Sequence, residues 1–263
     1  MNVFIQELKS GWRSLLKWSL SLAGFASLYL LFFGAIKNDL QVFDDVMKGL
    51  PPIAQAALGY VFDSLGTITG FYSFVFAYIV LCGAVQAMNL GVSAIGRETG
   101  GRTADFLLSK PVTRNSMMVQ KTLAILVQLV VTNVIYLAIT ITVAYSQQNE
   151  ADLRRFIMLT ATLFFTQAVF AALGLLYGTV VEKVKSVIAV TLPTVFGFFI
   201  VGMIGSIIGE NNARYLTPFK YFDPAHIIRD GTYETGFALV ALGVTVVAVA
   251  ASFVIFTKKE IYA

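Results

Sequence analysis

The sequence predicts an all-α integral membrane protein of six transmembrane helices, and three observations predict it. Of its 263 residues, 57 % are hydrophobic and only 13 % charged, with a mean hydropathy of +0.76. Soluble domains carry roughly 25 % charged residues, so a soluble fold of this length could not cover its surface. Six stretches are long and apolar enough to cross a bilayer core, which takes about 20 residues, and none of them contains Asp, Glu, Lys or Arg. The charges lie between these stretches and are biased in sign. Together these exclude a soluble enzyme, a disordered tail, a collagen-like fibre and a disulfide scaffold. Residues 1–263 read as a single transmembrane domain.

Residues 3–17 come first. Phe4, Leu8, Trp12, Leu15 and Leu16 recur at helical spacing among Lys9, Arg13 and Lys17. That pattern predicts an amphipathic helix lying in the lipid interface ahead of the first span. The six spans follow at 18–36, 67–94, 122–145, 156–181, 187–208 and 236–257. The first has no small-residue cleavage pattern and is retained as a span. The second is long enough to tilt or project beyond the bilayer. Alternating strands of a lipid-facing barrel are absent from all six. Pro193, inside the fifth, removes a backbone donor and should kink that helix.

Six spans place both termini on one side, and the basic excess selects the cytoplasm for that side. Twelve of the 19 Lys and Arg and five of the 15 acids lie on it, giving +7 there and −3 on the opposite face. The expected location is therefore the cell membrane, multi-pass, with both termini cytoplasmic. Membrane topology accounts for the net charge of +4, so no nucleic-acid partner is expected. Of the outer connections, 37–66 contains Pro51-Pro52 and reads as a short surface helix, and 210–235 is aromatic and rich in turn residues.

Catalytic chemistry is missing. The Lys-Ser/Thr pairs at 9–10, 121–122 and 185–186 follow no glycine, so there is no phosphate-cradling Walker loop. One histidine, His226, and one cysteine, Cys82, cannot build a zinc site or an intrachain disulfide. Cys82 lies mid-span and is expected to act as a small hydrophobe. No catalytic residue, metal site or cofactor is expected on this chain. Uncharged polar residues within spans, among them Gln86, Asn89, Asn133 and Gln167, either join helices by hydrogen bonds or line a pathway. Small residues four apart (Gly83, Ala87, Gly91; Gly174, Gly178; Gly205, Gly209) suit close helix contact.

The loop between the second and third spans carries a resemblance. It runs from Arg97 to Arg114. Gly100-Gly101 should break the long second helix, Thr103 can cap a new one, Phe106, Leu107 and Leu108 give it an apolar cluster, and Pro111 ends it. Glu98, Thr103, Leu107, Leu108, Ser109, Pro111 and Arg114 match the pattern of ABC type-2 exporter permeases, which this loop resembles. Here the glycine comes one position early, Arg102 stands in its usual place, and Gly100 replaces a second acid. The stretches Leu216–Pro224 and Leu50–Pro52 are similar to that family's outer loops.

The resemblance implies a coupling helix built on Glu98, Arg102, Thr103, Asp105, Phe106, Leu107 and Leu108, docking onto a separate ABC ATPase subunit that holds ATP and Mg. It implies a homodimer of this chain with two ATPases, a route for an amphipathic or lipophilic substrate near spans one, two and five, and an outer gate of short re-entrant helices around Pro218, Phe219, Phe222 and Pro224. Two other readings remain open: a non-transporting immunity or sensor protein that binds such a peptide, and a secondary carrier.

Overall fold

A computed structural model describes residues 3–36, 67–100, 113–147, 152–181, 184–208 and 211–258, with a few positions between 42 and 54. The spans are α1 (Val3–Ile36), α2 (Ile68–Gly100), α3 (Arg114–Gln147), α4 (Leu153–Val180), α5 (Val187–Ile208) and α7 (Thr235–Lys258). Two 3-10 turns (Asn211–Leu216 and Pro218–Lys220) and the short helix α6 (Pro224–Asp230) stand between α5 and α7. All six spans are long and apolar enough to cross a membrane. The all-α integral membrane fold is thus the one the sequence predicts. The surface helix expected near Pro51 and most of the 37–66 connection lie outside the described residues.

Two boundaries differ from expectation. Residues 3–17 are helical, but α1 continues from them into the first span without a break. No proline or glycine pair interrupts the junction, where Ser19 Oγ donates to Leu15 O at 2.8 Å. The N-terminal stretch is therefore the start of a 34-residue helix, about 51 Å long at ~1.5 Å per residue. It packs along α3 instead of forming a separate interfacial element. The second difference is α3, which starts at Arg114, eight residues before the expected span. An apolar run marks what the bilayer needs, not where the backbone hydrogen bonds stop.

α2 and α4 form the centre of the bundle. α1 and α3 pack together on one side and α7 lies against α4 on the other, while α5 leans on α2. The helix ends at Val3, Gly100, Arg114, Val180, Val187 and Lys258 gather at one end, here the terminal end; the opposite end is distal. A distal core joins Leu30, Phe33, Phe71, Tyr72, Tyr136, Phe156 and Leu159. A terminal-end core joins Met88, Val92, Ile95, Met117, Met118, Phe170 and Leu175. Glycine holds α2 and α4 together. A Cβ on Gly91 would fall 2.2 Å from Ala171 O, and one on Gly174 would fall 2.6 Å from Met88 O. Backbone thus meets backbone across this seam. Cys82, mid-span on α2, is exposed at the surface of the bundle.

Candidate functional site

Three polar constellations interrupt the apolar bundle. The first is central. Gln167 on α4 donates from Nε2 to Gln86 Oε1 (3.1 Å) and to Gly83 O (3.4 Å) on α2. Gln86 Nε2 donates to Thr132 Oγ1 on α3 at 3.0 Å. Asn133 Nδ2, also on α3, donates to Gln167 Oε1 at 2.6 Å and to Leu129 O at 2.8 Å. The side chains of three helices thus satisfy one another where little water reaches, as intramembrane polar groups must. The network relies on Gly83, since a Cβ there would meet Gln167 Nε2 at 3.1 Å.

The second constellation lies at the terminal end. Lys121 on α3 is 1 % exposed. Its Nζ donates to Glu7 Oε1 on α1 at 2.8 Å and to Ala94 O on α2 at 2.6 Å. One ammonium group so fastens three helices. Phe4 N donates to Gln120 Oε1 at 3.2 Å and continues the junction. Next to it a cleft of about 340 Å³ opens among α1, α2, α3 and the first turn of α5. Trp18, Leu90 and Ile188 form its apolar wall, and Gln86, Asn89 and Gln128 its polar one. A smaller lobe of about 70 Å³ runs from Gln128 toward Glu7 and Lys121.

The third is the segment between α5 and α7. It folds back into the bundle. Thr217 Oγ1 donates to Phe198 O at 2.8 Å, ten residues before the end of α5, or about 15 Å down the helix. Phe219 packs on Phe170 (centroids 5.0 Å) and edge-on to Phe199 (5.5 Å). Phe222 stacks on Phe165 (5.3 Å) and meets Tyr233 (6.0 Å). Pro218 and Pro224 each open a short helix, where a missing N–H costs nothing. Asp223 caps α6 by accepting from Ala225 N at 3.1 Å. Gly231 closes it at φ 64°, the left-handed conformation that favours glycine.

Arg214 is the hub of this segment. It forms a two-pronged ion pair with Glu234, one prong being Nη1 to Oε1 at 3.1 Å. It also donates to Lys220 O at 3.3 Å and lies 4.0 Å over the Phe237 ring. The Arg214 hydrogen bonds hold the Glu234 carboxyl below the usual carboxylate range. Burial pushes the Lys220 ammonium down, partly opposed by Asp223.

A family described as ABC-2 family transporter protein matches residues 1–261. The chain belongs to the ABC-2 transporter family. No curated protein matches it. ABC-2 proteins of this kind are membrane permeases, and membership implies an ABC ATPase as partner.

In this ABC-2 protein the predicted polar residues divide. Gln86, Asn133 and Gln167 meet in the central network, whereas Asn89 stands apart from it on the cleft wall. Pro218, Phe219, Phe222 and Pro224 all belong to the re-entrant segment. Of the loop residues, Glu98 lies on the α2 backbone, and its side chain, with Arg102, Thr103, Asp105, Phe106, Leu107 and Leu108, lies outside the described residues. Sequence reasoning missed Lys121, assigned to a loop because it is charged. A signal was available: Met117, Met118, Ala124 and Ile125, four and three residues to either side, put Lys121 on an apolar stripe. Glu7 and the Arg214–Glu234 pair were missed as well, since each partner is remote in sequence.

Proposed function

We propose that this ABC-2 protein is the membrane subunit of an ATP-driven exporter, with the translocation route of an amphipathic or lipophilic substrate formed by two copies of the chain and driven by two ATPase subunits. The observation that carries the proposal is the permease-family match over residues 1–261. The loop at Arg97–Arg114 supplies the second support. Its Phe106, Leu107 and Leu108 would seat in a groove of the ATPase, framed by Glu98, Arg102 and Asp105. The excess of basic residues at the terminal end supports a cytoplasmic position for that end and so for the docking loop. A cleft with one apolar and one polar wall supports an amphipathic cargo.

A secondary carrier would call for ionisable residues in the bundle. Lys121 and Glu7 are such residues, but they neutralise each other at the end of the bundle and serve to join helices. The re-entrant segment, with Phe219 and Phe222 wedged among α4 and α5, would close the distal end of the route.

The deciding experiment is co-purification with the ATPase followed by substrate-stimulated ATP hydrolysis, parent against Phe106→Ala with Leu107→Ala. Removal of one buried anchor commonly costs ~2 kcal/mol, about thirtyfold. The expected result is lost association or lost stimulation with normal membrane insertion. Unchanged association and stimulation would remove the docking role from this loop, and robust hydrolysis by the chain alone would overturn the division of labour.

A further inference from the structure

The Glu7–Lys121 junction stands where α1 and α2 part. At the distal end these two helices pack tightly, with Tyr29 stacked on Phe71 (centroids 4.4 Å) and Phe33 against the same ring (5.4 Å). Toward the terminal end a gap opens. The cleft of about 340 Å³ has Ser14 and Trp18 of α1 on one wall and Leu90 and Ser93 of α2 on another. The smaller lobe continues that gap between Glu7 and Ala94. Lys121 Nζ reaches across it, to Glu7 Oε1 at 2.8 Å on the α1 side and to Ala94 O at 2.6 Å on the α2 side. A buried ion pair adds little stability over apolar residues of the same volume. An ionisable side chain that is 1 % exposed in a membrane bundle therefore points to a working part.

The two bonds of the ammonium differ in strength. The bond to Glu7 joins opposite charges and is the stronger. Ala94 O is a neutral carbonyl that also serves its own helix, because α2 runs on to Gly100. Under load the ammonium stays with Glu7 and leaves Ala94. α1 then stays with α3, to which Phe4 N is also bound through Gln120 Oε1. Both ends of the 97–114 loop lead to this point. Ala94 and Lys121 lie about 10 Å in from Gly100 and Arg114, at ~1.5 Å per residue. A pull that separates the two ends of the loop acts on the bond between them.

We infer that Lys121, oriented by Glu7, is the latch of the terminal-end cleft. Its bond to Ala94 O holds the cleft at its present width, and movement of α2 away from α1 and α3 releases the bond and widens the cleft. That an ATPase supplies this movement rests on the permease reading; that the latch sets the width does not.

Trp18 can report that width. It faces the same cleft as Ser93, and tryptophan quenches a bimane fluorophore only at close range. The Cys82→Ser, Trp12→Phe, Ser93→Cys protein is labelled with bimane and reconstituted in phosphatidylcholine nanodiscs. In the chain alone the bimane should be quenched, and Trp18→Phe should abolish the quenching. Glu7→Leu with Lys121→Met removes both charges together. It should raise emission to the level of Trp18→Phe and leave the melting temperature close to that of the parent, as apolar replacement of a buried pair allows. Lys121→Arg keeps the charge and the donors and should stay quenched. With the ATPase bound, a non-hydrolysable ATP analogue should dequench the parent and leave the open double variant unchanged. Equal quenching in parent and double variant would overturn the latch. A double variant that melts far below the parent would do so too, since the junction would then be a staple of the fold. Dequenching in the double variant with no response of the parent to nucleotide would support the latch and count against the permease reading alone.

Discussion

The α2–α4 seam and the outer helices α5 and α7 are built on opposite principles. α5 and α7 are the most apolar spans and the least buried; α2 and α4 are less apolar and the most buried. In water that order would be reversed. In a bilayer the tails are as apolar as leucine, so hydrophobicity holds a helix in the membrane without pulling it to a neighbour. The neighbour is won by small residues and hydrogen bonds. Gly91, Gly174 and Gly178 bring the α2 and α4 backbones into contact, and Gln86 and Gln167 bond across them. On α5 and α7, Gly197 and Gly243 have nothing within 4 Å of where a Cβ would stand.

The sharpest way to break this contrast is to add the same side chain on each side of it. Gly91→Val drives carbons into the α4 backbone, which cannot move without parting the helices. Overpacking a core costs ~1–3 kcal/mol and occasionally more. The expected loss here is ~3 kcal/mol or more, read as a large drop in folded yield and melting temperature in detergent. A melting temperature unchanged by Gly91→Val would mean the seam is not tight.

The second test concerns the re-entrant segment, which is held by charge where the seam is held by contact. Arg214→Ala leaves Glu234 and Lys220 O without their shared donor and should cost ~1–3 kcal/mol, measured by thermal unfolding. The same pair sets a pH dependence. The Glu234 carboxyl is depressed in the folded protein, so its contribution is present above the ordinary carboxylate range. It is lost as pH falls through the depressed value. Melting temperature should therefore decline on acidification below about pH 4.5, and Arg214→Ala should flatten that decline. An equally steep decline in the variant would assign the acid sensitivity elsewhere.

A smaller effect is expected inside the central network. Gln167→Leu removes the bonds to Gln86, Gly83 and Asn133 together. Interhelical hydrogen bonds in membranes average ~0.6 kcal/mol and reach ~1.7, so a loss of about 1–2 kcal/mol is expected. A double-mutant cycle with Asn133→Leu should be non-additive; strict additivity would show that the two amides act independently. The smallest effect completes the comparison. Gly197→Ala and Gly243→Ala should change stability by less than ~0.5 kcal/mol, because the added methyl group meets no protein atom.

Much of the candidate site was legible in the chain. Gln86, Asn133 and Gln167 stood out as polar residues in apolar runs, and they meet because the bilayer offers no other partner. Pro218 and Pro224 read in the sequence only as turn residues; the structure makes each the start of a short helix, since proline fits the first turn and little else. Lys121 was misplaced for the converse reason. A charge at the edge of an apolar run reads as loop until its partner is known, and that partner, Glu7, lies 114 residues away. Asn89 and Gln167 look alike in sequence; only their neighbours make one a network member and the other a wall of the cleft.

What the sequence by itself determined is the number, order and approximate limits of the spans, because crossing a bilayer is a property of one segment and its length. It also carried the family resemblance, because the motif residues lie on one continuous loop. The tertiary structure decided everything that depends on which faces meet. It chose α2 and α4 as the centre although α5 and α7 are more apolar. It joined the N-terminal stretch to α3 through Lys121, and it brought Thr217 down to Phe198. It left Asn89 and Gln128 facing a shared cavity. The physical reason is that lipid satisfies any apolar surface equally. The choice of partner therefore rests on close backbone approach and on pairs of polar atoms, and both come into being only when helices remote in sequence are side by side.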